Sequence, residues 1–180
     1  MDLTEKKISS EEIFNGKVIR VCVDKIRLPD GKEGIRELVH HRGAVCVVPI
    51  TDEGEVICVR QFRYAHGEAL LEIPAGKLEK WDTDPREAAL RELEEETGAS
   101  CRELEYLGKL YTSPAIFDEV IHMYLAKGLT FGDTHPDEDE FLTVEKIPIK
   151  DLVDMIMRGE VPDSKTQAAV LRAFLTVNPY

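Results

Sequence analysis

Arg91-Glu92-Leu93-Glu94-Glu95-Glu96-Thr97-Gly98 is the stretch on which the reading of this chain turns. Four glutamates crowd the two turns before a glycine, in a segment whose start is equally well marked. Asp84 offers an N-cap, Pro85 suits the first helical position, and Glu87 stands where a capping box closes. Gly98 supplies the residue that most readily adopts a left-handed cap. The pattern predicts a helix over Pro85–Thr97. Its acids lie at the wrong end, where the backbone dipole already leaves partial negative charge. Glu92 and Glu96 are four apart and repel by roughly 0.2–0.5 kcal/mol; within the helix, Arg91 is the nearby cation. A surface helix shaped only for stability would carry lysine or arginine here. A bound divalent cation turns the penalty into an asset, because clustered carboxylate oxygens suit Mg²⁺. A solvated acidic face is the plainer explanation for a lone run of acids. The spacing argues against it: Glu92, Glu95 and Glu96 share one face, leaving Ala89, Leu90 and Leu93 to pack on a sheet.

Upstream runs Leu71-Glu72-Ile73-Pro74-Ala75-Gly76-Lys77-Leu78-Glu79, which reads as a loop whose glycine lets backbone carbonyls approach an ion. Val18–Leu28 and Gly34–His41 flank the turn Pro29-Asp30-Gly31-Lys32 as one hairpin. Ala44–Ile50 and Val56–Phe62, around Thr51–Glu55, read as a second. After the helix, Leu104–Tyr111 and Val120–Lys127 are strand-like, Gly132–Glu140 is a polar acidic loop, and a further strand follows it. Two helices close the chain, near Ile149–Arg158 and Lys165–Thr176, the second preceded by Pro162-Asp163-Ser164. This order implies an α+β fold, a mixed sheet flanked by helices, with a small N-terminal antiparallel sheet. The expected division is residues 1–42 and residues 43–180.

The bulk numbers narrow the function. A length of 180 residues, 43% hydrophobic and 32% charged, suits a soluble globular chain. No apolar run approaches the ~20 residues that span a bilayer, and the N-terminus lacks signal-peptide character; the expectation is a cytosolic protein with no membrane partner. Cys22, Cys46, Cys58 and Cys101 are scattered and read as small buried hydrophobes in a reducing compartment. A net charge of −12, from 35 acids against 23 bases, argues against nucleic-acid binding, which needs phosphate neutralisation.

Gly76 followed by Arg91-Glu92-Leu93-Glu94-Glu95-Glu96-Thr97-Gly98-Ala99 resembles the box of the Nudix hydrolases, GX5EX7REUXEEXGU, with U a bulky apolar residue. Ala99 is small for its position. Between Gly76 and Arg91 the chain is one residue longer than the box, so its first glutamate falls on Asp82 or Thr83. The resemblance implies a Nudix fold, an α/β/α sandwich, and metal-dependent cleavage of a pyrophosphate bond. It implies metal ligands Glu92, Glu95 and Glu96, with Ala75 contributing its carbonyl, and Mg²⁺ as the ion, Mn²⁺ being a substitute.

The flanks resemble the ADP-ribose pyrophosphatase branch. The carriers are Gln61-Phe62-Arg63, the run Leu71–Gly76, Ser113-Pro114-Ala115 (the branch usually has Ser-Pro-Gly), Glu119 and Asp163-Ser164-Lys165-Thr166. Arg36, Arg42, Arg63 and Lys77 are candidate donors to the diphosphate, although Arg36 or Arg42 could equally be surface arginines pairing an acid. Ser113, Pro114 and Glu119, or the neighbouring Asp118, are candidate contacts to the sugar. Glu138 and Glu140 stand where the family has a base and a further metal ligand, and Glu95 is counted with them as catalytic. The branch forms homodimers through its N-terminal sheets, so Phe14 or Arg36 is expected near adenine there. Hydrolysis of a sugar nucleotide, a dinucleoside polyphosphate or coenzyme A is the alternative, as is a nucleotide sensor that keeps the fold without hydrolysis.

Overall fold

The computed structural model describes residues 2–133 and 141–178. Two compact units emerge, Met1–Gly43 with Tyr111–Val120, and Ala44–Leu110 with Ile121–Tyr180.

The first unit is built on an antiparallel sheet in the order β1 (Lys6–Asn15), β2 (Arg20–Arg27), β3 (Glu33–His40). The β2–β3 hairpin turns where Pro29–Lys32 predicts it, Gly31 taking φ of +86°. β2 alternates strictly, burying Cys22, Asp24 and Ile26. β1 is an addition to the sequence reading. Its ten residues are all exposed and bear no period-two pattern, so only pairing with β2 makes them a strand. The segment after Tyr111 lies along the end of β3: Val39 donates to the Ile116 carbonyl at 2.7 Å and Asp118 to the Val39 carbonyl at 3.1 Å.

The second unit holds two sheets, β7-β4-β9-β8 and β10-β5-β6. Their strands are β4 (Ala44–Pro49), β5 (Glu55–Arg63), β6 (Glu68–Glu72), β7 (Ala75–Lys77), β8 (Ala99–Tyr111), β9 (Val120–Phe131) and β10 (Leu142–Pro148). The helices are α1 (Pro85–Thr97), α2 (Ile149–Met157) and α3 (Ser164–Val177). The expected hairpin of Ala44–Ile50 with Val56–Phe62 does not form. The two strands share a single bridge, Ile50 to Val56, and then part: β4 pairs in parallel with β9 and antiparallel with β7, whereas β5 lies between β10 and β6. Continuous burial explains this. All six residues of β4 are buried, so both its faces need cover and it sits inside its own sheet.

That cover is the expected sandwich. Cys46 and Val48 of β4 point into a cluster with Leu152, Val161, Ala169 and Val170 from α2, α3 and the link between them. Val45 and Val47 point the other way, against Ala88, Ala89 and Leu93 of α1. Leu93 is fully buried, and its truncation to alanine would cost about 2–5 kcal/mol. The α1 stripe therefore fixes the glutamates between its apolar positions relative to β4.

Candidate active site

α1 forms as its caps dictate. Asp84 accepts from the Arg86 N–H, and Gly98 takes φ of +66° with its N–H on the Glu94 carbonyl at 2.8 Å. No basic residue occupies the last turn. Glu94 points to solvent, Glu95 is half-buried, and Glu92 and Glu96 are buried. Glu96 is only 2% exposed. A carboxylate in that position requires partners, and the segment Ala75–Gly76 provides the close neighbour. The Ala75 N–H donates to Glu96 Oε2 at 3.1 Å. Gly76 lies so near Glu92 that a Cβ built on it would fall 2.1 Å from Oε2. β7, expected as loop, is a three-residue strand against β4, with Ala75 opposite Cys46.

Arg91 binds this group from the open side. One Nη1 donates to Glu92 at 2.7 Å and to Glu95 at 3.2 Å, and Nη2 donates to Asp82 at 3.2 Å. Partial burial works against the guanidinium charge, but the surrounding Glu92, Glu95 and Asp82 outweigh it and hold its pKa above the ordinary arginine value. Asp82 also accepts from the Glu79 N–H at 2.7 Å, which fastens the loop before α1. Among the described residues no three His, Cys, Asp or Glu side chains converge as a complete metal cage. Two buried carboxylates beside a side-chain-free glycine are nonetheless suitable hard-oxygen donors for Mg²⁺, which retains waters and takes one or two carboxylates plus substrate phosphates.

A further buried acid lies just upstream of Ala75. Glu72, 1% exposed, receives Arg63 fork to fork at 2.6 Å through Nε and Nη2, and it also accepts from Lys165. Burial pushes the Glu72 carboxyl up, but Arg63 and Lys165 outweigh it and hold it below the usual carboxylate range. Arg63, expected as a donor to the diphosphate, is thus first the partner of Glu72.

The NUDIX domain profile matches residues 40–170. The chain belongs to the Nudix family. The profile of the nucleoside diphosphate sugar hydrolase N-terminal domain matches residues 5–39, ahead of the Nudix domain. The chain is 45% identical to an ADP-ribose pyrophosphatase of Bacillus subtilis over 170 residues, covering 93% of this chain and 91% of the relative. It is also 45% identical to a methanol dehydrogenase activator of Bacillus methanolicus over 168 residues, 92% of this chain and 90% of that one. A crystal structure of an ADP compounds hydrolase superposes with a TM-score of 0.84 at 22% identity, covering 99% of this chain and 98% of that one, which shows the Nudix fold.

Of Asp82 and Thr83, the two residues on which the first glutamate of the Nudix box can fall, Asp82 meets Arg91. Aspartate is one methylene shorter, and the chain is one residue longer on the same side. The remaining candidates divide between the units. Lys77 is exposed at the end of β7. In the first unit, Arg36 pairs with Glu5, an exposed contact of at most about 1 kcal/mol, and Arg42 is exposed between β3 and the Ala44 strand. Ser113 and Pro114 are exposed in the same unit, and the Ser113 carbonyl accepts from the Ile116 and Phe117 N–H groups. Glu119 accepts from the Thr112 hydroxyl at 3.0 Å and meets His41 Nδ1 at 3.3 Å. Asp118 accepts from His40 at 2.6 Å and from the His41 N–H at 2.8 Å. Burial raises the Asp118 carboxyl, but the two histidines outweigh this and hold it below its usual range. Glu138 and Glu140 lie outside the described residues. Sequence reasoning missed Glu72 and Lys165 as partners; the signal was an acid inside an otherwise apolar run, Leu70-Leu71-Glu72-Ile73, which has to be paired if it is buried.

Proposed function

We propose that the chain hydrolyses the diphosphate of ADP-ribose, water adding across one P–O–P bond to give AMP and ribose 5-phosphate. The observation that carries this is the pair of buried carboxylates, Glu92 and Glu96, set against Gly76 and the Ala75 amide. Nothing in packing alone favours two acids at the negative end of a helix. When bound, a divalent cation, here assigned as Mg²⁺ with Mn²⁺ as a substitute, neutralises diphosphate charge and acidifies a bound water.

The residues of the chain supply the rest. Glu92 and Glu96 hold the cation with Glu95 beside them, and the Ala75 carbonyl completes the protein's share. Arg63, with Nε and Nη2 on Glu72, presents its remaining edge to a phosphate, and Lys77 adds a second donor. Ser113, Pro114 and Glu119 meet the sugar, with Arg36 and Arg42 toward the nucleotide. Glu138 takes the proton from the attacking water, and Glu140 adds a ligand; both assignments rest on sequence. No helix among the described residues is long and apolar enough to cross a membrane, and the reading places the enzyme in the cytosol as a homodimer formed through residues 1–42.

The N-terminal match to a nucleoside diphosphate sugar hydrolase domain favours a second reading, a sugar nucleotide as substrate. One assay separates them: AMP release from ADP-ribose against nucleoside monophosphate release from a panel of nucleoside diphosphate sugars, with and without Mg²⁺. A higher kcat/KM for ADP-ribose, abolished by chelation, is expected. Preference for another diphosphate sugar overturns the substrate, and turnover in chelator overturns the metal.

A further inference from the structure

The first turn of α3 belongs to no part of the chemistry above, yet it is wired into it. Asp163 caps the helix, accepting from the Thr166 N–H at 2.9 Å and the Thr166 hydroxyl at 2.6 Å. A hydroxyl that donates to Asp163 turns its lone pairs outward, and Thr166 Oγ1 accepts the Ile73 N–H at 3.0 Å. Thr166 and Ile73 are both completely buried. Next along the chain, the Pro74 carbonyl accepts from Val47 of β4 at 2.9 Å, and the Ala75 N–H reaches Glu96. On the other side of Ile73, Glu72 is gripped by Lys165, which also donates to Asp163 at 3.1 Å. Two consecutive α3 residues therefore clamp two consecutive residues, Glu72 and Ile73, just ahead of the amide that orients Glu96.

We infer that Thr166 and Lys165 are positioning residues: through Ile73 and Glu72 they fix the Ala75 amide, and through it the Glu96 carboxylate, in the place where the cation is held. Buried partners of metal ligands typically change metal affinity or activity 10–100-fold when removed. The inference rests on the reading that Glu92 and Glu96 bind the cation, and two measurements on the full-length chain keep the two apart. Thr166→Val keeps the shape but leaves the buried Ile73 N–H without its acceptor. It is expected to weaken Mn²⁺ binding, titrated by calorimetry, about 10-fold, the lower end of that range because Thr166 acts two residues behind the Ala75 amide, and to speed hydrogen exchange of the Ala75 amide, read by NMR before Mn²⁺ is added. Thr166→Ser, which restores the hydroxyl, is expected to bring both back close to the wild type. A purely structural role lowers the melting temperature without these changes. Wild-type Mn²⁺ affinity in Thr166→Val, with Glu96→Gln impaired, overturns the positioning role alone. So does a serine variant as impaired as the valine one. Wild-type affinity in Glu96→Gln overturns the metal assignment together with this inference. Should Thr166→Val not fold, Lys165→Met is judged by the same criteria, because Arg63 still neutralises Glu72.

Discussion

Gly76→Ala isolates one contact. The Gly76 φ is not positive, so alanine brings no backbone strain, and everything follows from the new methyl. Its Cβ would lie 2.0 Å from the Glu92 carboxyl carbon, where ordinary contact begins at 3.4 Å. The carboxylate must retreat by about 1.4 Å, taken as the difference of those two distances. A displacement near 1 Å in a catalytic constellation can cost ~100-fold, so kcat for ADP-ribose should fall roughly 100-fold. Stability should fall by about 1–3 kcal/mol, the cost of pressing an extra methyl against a buried side chain, with Arg91 keeping Asp82 and Glu95. Steady-state kinetics and urea unfolding of the same preparation separate the two effects. Because both changes act through one carboxylate, Gly76→Ala added to Glu92→Gln should cost almost nothing more than Glu92→Gln alone. A kcat within about threefold of wild type would refute the claim that Glu92 must occupy this place.

Three more outcomes are expected. Glu96→Gln should lower turnover by orders of magnitude at saturating Mg²⁺ while near-UV circular dichroism stays native, since the amide oxygen can still accept from Ala75; near-normal turnover would remove Glu96 from the site. Arg91→Met should destabilise the protein by about 1–3 kcal/mol, by leaving Asp82, Glu92 and Glu95 to repel one another, and added Mg²⁺ should narrow the gap in thermal melts. Glu72→Gln should cost about 3–5 kcal/mol at pH 7, as it removes the carboxylate that Arg63 grips and leaves Lys165 with Asp163 alone. The sign with pH is fixed by the lowered folded pKa of Glu72. Its contribution is complete above the unfolded value of about 4.3 and lost as pH falls through the folded one. The wild-type and variant unfolding curves should therefore converge in acid, and a gap that stays constant from pH 7 to pH 3 would count against the ion network.

How much could be read from sequence differs by element. α1 was fully legible because its signals are local: Asp84, Pro85 and Gly98 mark its ends, and Ala89 and Leu93 mark its buried side. β2 and β3 were legible for the same reason. The partners of β4 and β5 were not, since a strand buried on both faces states that it is central but not which strands flank it. β1 and β7 left no trace because each is a strand only through its neighbour. In the site, the box spelled out Glu92 and Glu96, whereas the contact of Asp82 with Arg91 follows only from where the loop before α1 is placed. The clamp of Glu72 by Arg63 and Lys165 joins residues 93 apart in the chain on one side, beyond any local pattern.

The Arg91 guanidinium, set among Asp82, Glu92 and Glu95, also orders events in the life of the molecule. In zinc fingers the ion is the glue, and chelation unfolds the domain. Here the helix carries its own counter-ion, covalently attached and present from the moment of synthesis. The chain can reach its final architecture in a compartment poor in divalent cations and wait there, assembled but silent. On the proposed reading, scarcity of the ion acts first on the rate at which substrate is destroyed, and on folding only through the stability that binding the ion adds.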